Sequence, residues 1–274
     1  MAVETWLLDI GNTSLKLFRL EADTQCLLRA LDPVRRFANK DDFAAFVSDT
    51  FTRINPQSFD VRVYVASVRS DDETQELLRC LQIKNVTLHQ VSTSADSFGL
   101  KNSYAKPEKM GVDRWLAMLG GQLLSRRPFI VIDAGTAITV DAVANNVHIG
   151  GWIAPGYQLA LNAVTGNTRR VFQAQFESAE VAFGNDTEAC LHLGCVAQLN
   201  GLVLVAQQLM STQHPEFTVI LAGGDRDRLL SVKEMLATKH IVNVNNIVFY
   251  GLLRFALAEM PLQMQRKCAE SLDI

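Results

Sequence analysis

The sequence contains neither a GxxxxGK[ST] loop nor a GxGxxG turn, so the two common glycine-rich nucleotide cradles are missing. It also lacks an excess of charge. With 26 Lys and Arg against 29 Asp and Glu the formal net charge is -3, which leaves no electrostatic footprint for nucleic acid. The five cysteines, Cys26, Cys80, Cys190, Cys195 and Cys268, are scattered and odd in number, which argues against a disulfide framework and for a reducing compartment. Cys190, His192 and Cys195 cluster on one helix without zinc spacing or a second ligand pair, so core packing is their reading. His89, His148, His214 and His240 fall in no motif. No uninterrupted apolar run approaches the roughly 20 residues that span a bilayer. Met1 to Glu4 has no basic region, and Asp9 cuts short the apolar Trp6 to Ile10, so no secretory signal is expected. These absences predict a cytoplasmic protein without nucleic-acid or membrane partners. Hydrophobic residues make up 48% and charged residues 20%, an ordinary soluble composition, and 274 residues suffice for one large domain or two small ones.

What is present is organised around Phe129 to Val143. Phe129 to Ile132 is an apolar run of the kind that forms a strand buried on both faces. Asp133, Ala134, Gly135 and Thr136 form a polar tip, and Ile138 to Val143 returns as a second strand. A strand that ends in Asp and turns through Gly sets a carboxylate at the lip of a sheet, beside backbone with no Cβ to keep an anion away. One such turn is weak, because Asp and Gly are ordinary turn residues. A second copy lies near the N-terminus in Trp6 to Phe18, where Asp9-Ile10-Gly11-Asn12-Thr13 aligns with Asp133-Ala134-Gly135-Thr136-Ala137. A repeat at that separation is far too long for a solenoid and predicts two similar domains facing one another.

Around the first tip, a strand is expected over Cys26 to Leu31, a capped helix from Asp41, a strand over Val61 to Val68, a helix from Ser70 through Leu81 and a strand over Asn85 to Val91. Strands alternating with helices mean an α/β sheet. Ser92 to Lys109 reads as a long irregular loop that leads to a helix beginning at Gly111-Val112-Asp113-Arg114-Trp115 and ending before Pro128. The domain boundary is placed near residue 120, giving lobes 1–120 and 121–274. In the second lobe the hairpin continues through an Asn145-Asn146 turn into a strand reaching Gly150-Gly151, then a helix from Tyr157 to about Val164 and a loop over Thr165 to Asn185. A long, sparsely charged helix capped by Asp186 or Thr187, a strand over Phe217 to Leu221 and a closing helix over Asn246 to Glu259 complete the chain.

Two lobes that each offer a strand-Asp-Gly-Thr tip to a shared cleft resemble the acetate and sugar kinase, heat-shock 70 and actin superfamily. Within it, the ordered motifs DIGNTSLK, GVDRW, DAGTAITVD, GGWIAPG, Thr187-Glu188-Ala189 and LAGGD, from Asp9 to about Gly251, resemble the type III pantothenate kinases. The resemblance implies an α/β protein of two actin-like (ribonuclease H-like) lobes with a nucleotide cleft between them. It implies ATP-dependent phosphorylation of pantothenate, the first step toward coenzyme A. In it, ATP is gripped by Asp9, Ile10, Gly11, Asn12, Thr13, Ser14, Leu15 and Lys16, with Gly135 and Thr136 closing from the other lobe. Asp9 orients Mg²⁺ through water, and Asp133 binds a monovalent cation, K⁺ or NH₄⁺; from the residues alone Asp133 is no more than a possible cation site. Pantothenate is bound by Tyr104, Gly111, Val112, Asp113, Arg114 and Thr187. Phosphoryl transfer asks for a carboxylate to accept the proton of the attacking hydroxyl, and the resemblance gives that role to Asp113. On the residues alone Asp113 reads first as a helix-start carboxylate, Arg114 as its surface neighbour, Tyr104 as a loop anchor and Thr187 as an N-cap. The chain departs from the pattern at Ala222, where a hydroxyl residue is commoner. A homodimer with its substrate pocket near the interface is also implied. The rivals are a kinase for another small hydroxylated substrate, a phosphatase of the same superfamily, and a non-catalytic transcriptional accessory factor of the same family.

Overall fold

Strand β1 (Ala2–Ile10) carries Trp6, Leu7, Leu8 and Ile10 with none more than 4% exposed, so it is apolar on both faces and must lie inside a sheet that is covered on both sides. It does so in a computed structural model that describes residues 2–20, 34–51, 59–166, 181–229, 238, 240–262 and 265. The strand expected over Cys26 to Leu31 and most of the loop expected from Thr165 to Asn185 lie outside the described residues.

β1 pairs antiparallel with β2 (Leu15–Leu20), which pairs antiparallel with β3 (Arg35–Phe37). On its other side β1 runs parallel to β4 (Phe59–Ser67), and β4 to β5 (Val86–Gln90). Helices α1 (Lys40–Phe51) and α2 (Asp71–Leu78) close one face. Phe43, Val47, Phe51, Leu77 and Leu78 meet Trp6, Leu8, Ile10, Leu15 and Leu17 in one core. The start of α2 is fixed by a capping box: the Ser70 side chain accepts from the Glu73 N–H while Glu73 accepts from the Ser70 N–H.

After β5 come two-residue strands β6 (Asp96–Ser97) and β7 (Leu100–Lys101), a single turn at Pro107–Lys109, and α3 (Val112–Leu124). The stretch expected to be irregular therefore holds these short pieces, each below the length at which a period can be read.

The second sheet repeats the first. β8 (Phe129–Ala134) pairs antiparallel with β9 (Ala137–Ala144), and β9 with β10 (Val147–Pro155), through an Asn145-Asn146 turn whose φ angles are 51° and 57°. Following α4 (Tyr157–Thr165) and α5 (Thr187–Gln213), β11 (Thr218–Ala222) joins β8 in parallel and β12 (Ile241–Asn243) joins β11 in parallel. The order β12-β11-β8-β9-β10 matches β5-β4-β1-β2-β3 strand for strand, with β7 and β6 added beyond β10. The likeness of the two tips thus extends to the whole sheet.

α5 is 27 residues long and, by length and composition, apolar enough to cross a membrane, a property no uninterrupted run in the sequence announces because polar residues break it up. Here Val196, Leu199 and Val203 pack it against Ile130, Ile132, Val140 and Leu221, and it buries His192, Asn200 and Gln207 as well. A core helix passes the same composition test.

The chain forms two compact units. One holds the chain up to Phe98, the segment Tyr104–Leu124 and the closing helix α6 (Ile247–Ala258) from Val248; the other holds Gly99–Ser103 and Ser125–Ile247. α6 lies close against α3 because Gly251 has no side chain: a Cβ there would sit 2.2 Å from the Leu116 carbonyl oxygen. Arg254 donates to the Leu119 carbonyl at 3.2 Å and lies over the Phe98 ring, and its burial lowers its pKa to about 10.

Candidate active site

The first tip is residues 11–14, between β1 and β2. Asp9 faces Lys16 across the pair, and the Lys16 ammonium lies 3.2 Å from Asp9 Oδ2. Asp9 is buried, and burial raises its pKa in spite of the opposing pull of Lys16, first, and Arg36. The loop is tight: the Gly11 N–H donates to the Ser14 carbonyl at 3.1 Å, which leaves Asn12 and Thr13 exposed at the rim. It is also tied to the end of β4, where Val68 N–H donates to the Ile10 carbonyl at 3.1 Å and Arg69 Nε to the Gly11 carbonyl at 2.9 Å. Arg36 and Arg69 were not legible as parts of this tip: one sits on a three-residue strand, the other reaches back from a distant loop. Lys16 is an ion-pair partner of Asp9 rather than a solvated strand residue, and its ammonium has three donors of which Asp9 takes one.

The second tip is built alike. Asp133 is the last residue but one of β8, half-buried, and stands opposite Thr139 in the register. The Gly135 N–H donates to the Ala137 carbonyl at 3.0 Å, and Gly156 N–H to the Thr136 carbonyl at 3.0 Å. A Cβ on Gly156 would fall 2.0 Å from the Gly135 oxygen, and one on Gly223 2.1 Å from the Ala134 oxygen. These two glycines, from the GGWIAPG and LAGGD motifs, let the neighbouring backbone press against the tip. Asp225 N–H then donates to the Ala134 carbonyl at 3.0 Å.

α3 opens with Val112, placing Asp113 and Arg114 in its first turn. Asp113 Oδ1 accepts from the Arg114 backbone N–H at 2.8 Å, and a Cβ on Gly111 would lie 2.5 Å from that oxygen, so only glycine leaves the carboxylate in place. Arg114 is 4% exposed, which excludes a surface neighbour; its guanidinium donates to the Tyr104 hydroxyl at 2.8 Å. Thr187 is the first residue of α5 and is exposed, while the cap itself is Asp186, whose carboxylate accepts from Ala189 N–H at 2.8 Å. The helix start thus already holds one negative charge.

Among the described residues no group of three or more His, Cys, Asp and Glu side chains could hold a metal.

The family profile described as Type III pantothenate kinase matches residues 6–208, nearly three quarters of the chain. The chain belongs to that family. A type III pantothenate kinase from Pseudoalteromonas atlantica is 31% identical over 250 residues, covering 91% of this chain and 96% of the relative. One from Pseudomonas fluorescens is 34% identical over 204 residues, covering 72% and 80%. Among solved structures, a chain from Sinorhizobium meliloti named as a 2-dehydro-3-deoxygalactonokinase superposes with a TM-score of 0.59 at 12% identity, covering 94% of this chain and 99% of that one. A chain from Campylobacter jejuni named as a Baf family transcriptional activator gives 0.58 at 21% identity, covering 91% and 96%. At those identities the two structures show the fold, that of the actin-like and sugar kinases, and no activity. Family membership supplies ATP and a divalent metal as the partners of a type III pantothenate kinase.

Proposed function

We propose that this type III pantothenate kinase transfers the γ-phosphoryl group of ATP to the terminal hydroxyl of pantothenate, giving 4'-phosphopantothenate and ADP on the way to coenzyme A. The observation that carries the assignment of residues is the first turn of α3, where an Asp and a buried Arg stand side by side with Tyr104 on the guanidinium. Pantothenate has a carboxylate at one end and a primary hydroxyl at the other, so its site needs a fixed cation and a base. Arg114, oriented by Tyr104, is the cation, and Asp113 accepts the hydroxyl proton as the oxygen attacks phosphorus. Gly111 and Val112 supply close backbone, and Thr187 a hydroxyl. On the nucleotide side, Asp9 to Lys16 hold the phosphates, Lys16 with its remaining donors, and Gly135 and Thr136 complete the contacts. Mg²⁺, when bound, neutralises charge that develops on the phosphate oxygens. We assign Asp133, which precedes the second tip as Asp9 precedes the first, to a monovalent cation. We also place the protein in the cytoplasm as a homodimer, which the apolar residues exposed on β10 and α5 support.

Asp113→Asn tests the reading. It should lower kcat by at least about a hundredfold in a coupled ATP assay with pantothenate, with melting temperature unchanged. Turnover near that of the wild type would remove Asp113 as the base.

A further inference from the structure

Within the second unit, the tip is held from two sides by segments that are not neighbours in the chain. Gly156, where β10 passes into α4, donates its N–H to the Thr136 carbonyl, and Asp225, just past β11, donates its own to the Ala134 carbonyl, each at 3.0 Å. One side chain joins the two segments. A turn closes with Arg228 N–H on the Asp225 carbonyl at 3.0 Å, and it brings Arg228 Nε to 3.2 Å from Asp225 Oδ1. That pair is three residues apart and partly exposed, so alone it contributes little. The guanidinium also lies over the Tyr157 ring, its carbon 3.9 Å from the ring centroid, and Tyr157 directly follows Gly156. Tyr157 is 6% exposed, and its hydroxyl lies 2.5 Å from Nδ1 of His192, a buried residue of α5. The ring is thus fixed by α5, and a cation against a fixed, desolvated aromatic face is held more firmly than one in water. Asn200, also on α5, donates to the Arg228 carbonyl at 3.2 Å, so the main chain of Arg228 is anchored as well.

We propose that Arg228 is a positioning residue for ATP: its guanidinium brackets Tyr157 and Asp225, and so keeps the Gly156 and Asp225 N–H groups on the two carbonyls that set the backbone of the second tip. Arg228 acts through that backbone. The carboxylate asks for a positive charge and the ring face for a cation, and one guanidinium meets both demands. A neutral side chain of similar length fills the same space and meets neither. The inference rests on the assignment of Gly135 and Thr136 to ATP, and it adds to that reading the side chain that holds them in place.

Steady-state kinetics of Arg228→Met, Arg228→Lys, Asp225→Asn and the Arg228→Met/Gly135→Ala double variant test it, with Gly135→Ala as reference and melting temperatures measured alongside. In Arg228→Met, KM for ATP should rise roughly three- to tenfold, the range for one lost polar contact, with kcat and KM for pantothenate within about twofold of wild type. Arg228→Lys keeps the cation and should recover most of the loss. Asp225→Asn keeps the backbone N–H that reaches Ala134 but gives up the charge, so it should raise KM for ATP in the same way and decides the matter if Arg228→Met does not fold. In the double variant, Arg228→Met should add less than about twofold to the effect of Gly135→Ala, because both act on one tip. A wild-type KM for ATP in Arg228→Met and Asp225→Asn would overturn the proposal if Gly135→Ala raises that KM, and so would an Arg228→Lys variant as impaired as Arg228→Met. Equal losses toward ATP and pantothenate together with a lower melting temperature would mark a merely structural role and overturn it too. If Gly135→Ala also leaves KM for ATP unchanged, it is the assignment of the tip to ATP that fails, and the proposal with it.

Discussion

Asp9 is kept where a carboxylate is costly. Burial is the largest influence on it and outweighs Lys16, so its pKa is raised from 3.8 in the folded protein. The sign follows: the folded state holds this proton more tightly than the unfolded one. The contribution to stability is therefore greatest below the unfolded pKa and is lost as pH rises from about 3.8 through the higher folded value. Asp9→Asn removes the charge and with it that penalty. The variant should melt no lower than wild type at pH 7, with any advantage shrinking as pH falls toward 4, and it should lose ATP turnover. A variant that melts well below wild type at pH 7 would show that the Lys16 pair, not desolvation, dominates the site. Asp133, across from Thr139, is the carboxylate we assign to a monovalent cation. Replacing K⁺ by Na⁺ should lower the rate, and Asp133→Asn should abolish the difference between the two salts; indifference of the wild-type enzyme to the salt would end the cation assignment.

At the scale of the element, the tips depend on glycines elsewhere. Gly156→Ala places a Cβ 2.0 Å from the Gly135 oxygen, and Gly223→Ala adds a Cβ 2.1 Å from Ala134 oxygen at a φ of +90°. Either should destabilise the second unit by roughly 1–3 kcal/mol in denaturant titration and raise KM for ATP, whereas wild-type KM would show that the tip does not carry the nucleotide. The hairpins and their Asp-Gly tips were legible because each is local: an apolar run, a polar turn and a returning strand within fifteen residues. The capped helices were legible for the same reason, as Ser70 and Glu73 show. β3 and β12 were not, since three residues carry no period and their strand character comes from the neighbour they pair with. The seat of Arg228 on Tyr157 escaped because contacts between residues dozens of positions apart leave no trace in spacing. The closing helix was legible as a helix, but its grouping with the first unit depends on Gly251 meeting Leu116, a contact between segments far apart in the chain.

For the whole molecule, the duplicated sheet explains why one chain holds two carboxylate-glycine tips, and the second unit exposes large apolar groups on two of its elements. Its β10 turns Ile149 and Ile153 outward, the latter 65% exposed, and α5 exposes Val205 and Leu209. A monomer rarely leaves so many large apolar groups in water. Ile153→Glu should shift the sedimentation of the protein from dimer toward monomer; a wild type that sediments as a monomer at micromolar concentration would remove the dimer. ATP titration of Gly11→Ala and Gly135→Ala tests most directly the proposed contact of each tip with ATP. A Cβ at Gly11 comes within 3.2 Å of Ser14 oxygen and one at Gly135 only within 3.7 Å of Ala137 oxygen, so both variants should fold while filling the space an anion approaches. Each is predicted to weaken ATP binding, by about tenfold or more. An affinity equal to wild type in either variant would contradict the ATP contact proposed for that tip.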